Sequence, residues 1–101
     1  MASRVAEHIV RRRPFGRAQR LRVDLHGVSV FGPGDQHQVI RWEWIEAIDV
    51  DGGVVVRGHD TAIVLPPGAF GLAPGDLAAC LRDAGSIDTR TEIIGRLGRG
   101  G

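Results

Sequence analysis

The sequence predicts a mainly β domain, a small barrel or pair of orthogonal sheets, closed at one end by a C-terminal α-helix. Three observations point there. Apolar and polar residues alternate over short runs, as where Leu21, Val23 and Leu25 interleave with Arg20, Arg22 and Asp24, the period of a half-buried strand. Turn signals recur at roughly ten-residue spacing, as in all-β folds. After Pro67 the apolar spacing becomes helical.

The first segment, "SRVAEHIVRR", fits two readings. Val5, His8, Ile9 and Arg12 would share a helical face, whereas a strict alternation is only half satisfied. A strand over about 4–10 is favoured, because Pro14-Phe15-Gly16 then forms a loop into "RAQRLRV". The second strand runs through Leu21–Leu25, His26-Gly27 turns the chain, and Val28, Val30 and Phe31 begin the third. "GPGD" at 32–35 is a loop. "HQVIRW" and "WIEAIDV" supply the fourth and fifth strands. Asp51-Gly52-Gly53 is a hairpin turn into "VVVRG". His59-Asp60 turns again into "AIVLP", which Pro66-Pro67 ends.

Leu77, Cys80, Leu81 and Ala84 then define one face of a helix over about 74–84. Pro74 suits its first turn, Asp76 complements its dipole, and Gly85 is its stop. In the tail, Thr89 and Glu92 have the spacing of a capping box, predicting a short helix over about 89–98. The chain divides accordingly into a domain over 1–85 and a tail over 86–101.

A chain of 101 residues fits one domain with one modest core. Its apolar (43%) and charged (25%) contents are those of a soluble globular protein. Cys80 is the single cysteine, so neither an internal disulfide nor a cysteine-rich metal site is expected. The N-terminus lacks the apolar stretch of a secretory signal, and no apolar run is long enough to span a bilayer. The expected compartment is the cytoplasm.

Net charge is +1, unevenly placed. Residues 1–22 carry seven Arg against Glu7 alone, a net +6; residues 23–101 carry six Arg against eleven acids, a net −5. All thirteen basic residues are Arg. That asymmetry is the clearest electrostatic feature of the sequence, and it fits a solvated basic loop that balances acidic neighbours as well as a charged partner.

The order of elements, together with "VIRWEWIEAIDV" and the passage from "AIVL" through "PPGAF" to "DLAACLRDA", resembles small bacterial members of the pleckstrin-homology-like superfamily. The resemblance covers about residues 4–84 and leaves the helix at 89–98 outside the pattern. It implies a sharp passage between sheets filled by a large indole. The expected structural core is Trp42, Trp44, Ile45, Ile48, Leu77 and Leu81, with one Trp turned inward and the other free to lie on the rim. It also implies a basic loop between the first two strands that takes anionic groups, which here would use Arg11, Arg12, Arg13, Arg17 and Arg20. The stretch has no Lys, unlike the lipid-binding pattern.

No catalytic constellation emerges. The histidines, His8, His26, His37 and His59, have no metal-ligand spacing. Asp49, Asp51 and Asp60 have no nucleophile partner in the sequence. Ser29 and Ser86 lack a nucleophile-elbow motif. Cys80, on the apolar helix face, reads as an inert thiol. No enzyme, cofactor or metal is expected. The sequence reads as a binding or adaptor module that takes a protein partner or a second copy through a sheet edge, the groove beside the helix, or the apolar patch Ile93, Ile94 and Leu97. The alternative is docking on an anionic membrane through the Arg-rich loop. Nucleic acid is not expected, because no strand interleaves Arg with aromatic residues.

Overall fold

The computed structural model describes residues 5–12, 17–32 and 37–100, with backbone alone at 10–12, 17, 18, 99 and 100. Strands β1 (Val5–Arg12), β2 (Arg17–Asp24), β3 (Gly27–Phe31) and β4 (His37–Arg41) form an antiparallel sheet in chain order. Strands β5 (Ala47–Val50), β6 (Val54–Arg57) and β7 (Ala62–Leu65) form a second. Helices α1 (Pro74–Ala84) and α2 (Ile87–Gly100) follow.

The alternation that predicted the strands sets their faces. Ala6, Val23, Val28 and Ile40 are cross-strand neighbours and all are buried. Ile48, Val56 and Ile63 make the facing row of the second sheet, with Val54 and Leu65 beside them. The β2–β3 turn is set by Asp24, whose carboxylate accepts from the His26 N–H at 2.8 Å and the Gly27 N–H at 3.1 Å. Gly27 is required by packing: a Cβ there would lie 2.2 Å from the Ile40 carbonyl oxygen. In the β5–β6 hairpin Gly52 takes φ = 70°, the left-handed region that glycine enters without strain.

Trp42 to Trp44 form one 3-10 turn between the sheets, where a strand was expected. With three residues per turn, positions two apart point in different directions. Trp42 goes inward, 6% exposed, and its indole N–H donates to the Asp24 carbonyl at 2.8 Å. Trp44 goes outward, 56% exposed. The expectation that Trp44 belongs to the core is thereby corrected. Ile48, Leu77 and Leu81 are buried, and Ile45 packs against the core half-buried.

The two sheets meet where the Gln38 side-chain amide donates to the Thr61 hydroxyl and, at 3.0 Å, to the Ala62 carbonyl. No strand pairing joins them among the described residues, so the fold is two antiparallel sheets rather than a closed barrel.

Helix α1 begins at Pro74 with Asp76 in its first turn, and Gly85 ends it. Gly85 does so at φ = −61°, without the left-handed stop that glycine usually supplies. Helix α2 starts at Ile87, earlier than the capping-box reading places it. Thr89 is already inside the first turn, where its hydroxyl donates to the Asp83 and Ser86 carbonyls. Ile93, Ile94 and Leu97 are buried in the same core as the sheets. They are therefore no surface patch for a partner; α2 lies over β1 and α1 and spends its apolar face there. The expected break at Gly85 does not divide the core.

Candidate functional site

Strand β5 is an edge of its sheet, and α1 lies beside it. Between them runs an open groove of about 320 Å³, with Trp42, Ile45, Ile48 and Leu81 as its apolar wall and Arg82 and Glu46 among its polar groups. Local sequence explains each position. Ile48 follows the strand alternation, Leu81 lies on the buried face of α1, and Arg82, the next residue, emerges at the helix margin.

The Arg82 guanidinium donates to the Ile48 carbonyl at 2.6 Å. That carbonyl faces away from β6, because Ile48 stands one residue out of phase with Asp49, which points its backbone groups into the ladder. The phase is anchored by the Asp51 N–H, which donates to Gly53 at 2.9 Å. An unpaired strand edge is a template for another chain. Here one of its acceptors, the Ile48 carbonyl, is taken by a side-chain donor from α1. Arg90 frames the far side of Trp42, its guanidinium 5.0 Å from the ring centroid, and donates to the Ala84 carbonyl at 2.8 Å. Sequence reasoning did not single out Arg82 or Arg90, because neither belongs to a motif and their partners lie across the fold.

The predicted anion-binding residues fall differently from expectation. Arg11 and Arg12 lie in β1 and Arg17 opens β2, so they belong to strands and not to a loop. Pairing continues to the Arg12–Arg17 couple and leaves only 13–16 as the connection. Arg13 lies outside the described residues. Arg20 sits farther along β2, where Glu7 faces it at 3.6 Å and also faces Arg22 at 3.6 Å.

The other candidates separate. His26 and His59 are exposed, and His8 is half-buried under the fold. His59 lies 3.7 Å from Glu46 and 3.9 Å from Asp60. Asp49 pairs with Arg57 at 2.9 Å on the surface. Cys80 is half-buried against the core. Among the described residues no three His, Cys, Asp or Glu side chains converge as metal ligands, and no helix is long and apolar enough to cross a membrane.

Comparisons with known protein families, curated proteins and solved structures return no match.

Proposed function

We propose that this chain is a non-catalytic binding module that takes an extended segment of a protein partner, or of a second copy, along the outer edge of β5. The observation that carries this reading is the Arg82–Ile48 hydrogen bond at 2.6 Å. It marks an outward-facing strand carbonyl that accepts a donor from outside the sheet. The neighbouring groove supplies Ile45, Trp42 and Leu81 for an apolar side chain of the incoming segment. Backbone pairing would provide affinity and the groove selectivity, the logic of strand addition. The plan of two sheets and a C-terminal helix is compatible with a pleckstrin-homology-like scaffold, and such scaffolds carry many roles.

The test places a photo-crosslinking residue at Ala47, beside the groove, and at Val64, on β7, as a control. Crosslinked adducts in cell extract or between copies are expected from position 47 and not from 64. Val50→Pro, which removes an edge N–H, is expected to abolish them. Equal adducts from both positions would overturn the reading.

A second reading rests on the Arg12–Arg17 pairing. It gathers Arg11, Arg12 and Arg17 at one end of the first sheet, where they would face an anionic membrane. Co-sedimentation with phosphatidylserine vesicles, lost when the three become Gln, is its expected signature.

A further inference from the structure

The interleaving of Arg and aromatic residues that no single strand contains is created across the first sheet. On its outer face Ile9, Arg20, Phe31 and His37 are successive cross-strand neighbours. Phe31 and His37 stack with centroids 4.3 Å apart and planes 7° from parallel. The Arg22 guanidinium lies 4.8 Å from the Phe31 centroid and that of Arg20 5.9 Å. A second stack stands at the far end of β4, where Arg41 lies 5.3 Å from the Trp44 ring. Phe31 and Trp44 are the described aromatic residues outside the core, and each carries an Arg.

Charge and spacing narrow the partner. The face presents Arg20, Arg22 and Arg41 with Glu7, Asp24 and Glu43, and the strand register places Arg11 on the same phase of β1, whereas Arg12 and Arg17 fall on the opposite phase. The Arg22 Nε–H is buried with no hydrogen-bond acceptor among the described residues. His37 and Arg41 stand four residue steps apart along β4, about 13 Å, a length that a few nucleotides of one strand cover. The major groove of a duplex admits an α-helix or a two-stranded ribbon, narrower than this four-stranded face. Its exposed aliphatic residues, Val5, Ile9 and Val39, are separated by charged or polar ones along the strands and make no continuous apolar insert for a bilayer.

We infer that the outer face of the first sheet binds single-stranded nucleic acid, with Arg20, Arg22 and Arg41 meeting phosphates and with His37 and Trp44 offering ring faces to bases. The inference is independent of the β5 groove. Base stacking on aromatic side chains tolerates any sequence, so the binding is expected to be sequence-tolerant and salt-dependent.

The experiment is fluorescence anisotropy with labelled oligothymidylate and oligouridylate of roughly a dozen nucleotides, beside a duplex of equal length and vesicles rich in phosphatidylserine. One variant removes stacks and keeps charge (Phe31→Leu with Trp44→Leu); another removes hairpin charge and keeps stacks (Arg11→Gln, Arg12→Gln, Arg17→Gln). Binding of the single strands is expected to weaken about tenfold or more in the aromatic variant, and about tenfold when salt is raised roughly fourfold. Trp44→Leu alone serves if Phe31→Leu shifts the unfolding midpoint. Wild-type binding in the aromatic variant, equal affinity for the duplex, binding to vesicles without binding to oligonucleotide, or no binding would each overturn the inference.

Discussion

His8 accepts a hydrogen bond from the backbone N–H of Phe70 through its Nδ1 at 2.6 Å, joining the first strand to the connection before α1 across sixty-two residues of sequence. The two rings also meet, 5.6 Å between centroids. Phe70 is fully buried and held at φ = 56°, a left-handed conformation that costs a bulky residue of order 1–3 kcal/mol. The contact needs a free lone pair on Nδ1, so the ring proton of the neutral imidazole sits on Nε2. A strained turn persists only where its surroundings over-determine it, and His8 is one of those constraints.

His8→Leu is therefore expected to destabilise the fold by about 1–3 kcal/mol, because it strands a buried N–H without an acceptor. Urea unfolding monitored by circular dichroism checks this, with a lowered midpoint at unchanged slope. A midpoint equal to wild type would mean that His8 does not support the turn.

The two tryptophans should differ in stability and in spectroscopy. Trp42→Phe loses the indole bond to the Asp24 carbonyl and is expected to cost about 1–2 kcal/mol. Trp44→Phe, on the surface, is expected to stay within about 0.5 kcal/mol of wild type. Acrylamide should quench the emission of the protein retaining Trp44 far more strongly than that of the protein retaining Trp42.

Helix α2 is expected to be inseparable from the domain. Ile94, fully buried, should cost about 2–5 kcal/mol on replacement by Ala. A chain ending at Gly85 should lose cooperative unfolding. A truncated protein that melts like the full chain would show that α2 is only a docked tail.

Gly27→Ala is expected to be among the most damaging small substitutions, since its methyl would meet a backbone oxygen that cannot turn aside. A loss of about 2 kcal/mol would lower Tm by roughly 10 °C in a domain of this size. Calorimetry of this variant beside Gly75→Ala, where an added Cβ meets nothing, separates the clash from a general effect of removing glycine.

By itself, the sequence determined the succession of strands from β2 to β7, the turns at His26-Gly27 and Asp51-Gly52-Gly53, and the bounds of α1, while β1 fitted a helix as well as a strand. These follow from local alternation, turn chemistry and capping, which act over a few residues. Only the tertiary structure decided which Trp is buried, because a 3-10 turn replaced the expected strand and sent Trp44 outward. It also decided that Ile93, Ile94 and Leu97 are core, since an amphipathic helix reads the same whether its partner is its own sheet or another chain. The Arg82–Ile48 bond, the His8–Phe70 bond and the column of Arg20, Phe31 and His37 were invisible for a common reason. Each joins residues from different elements, and strand register and helix packing, not sequence neighbours, choose which side chains meet.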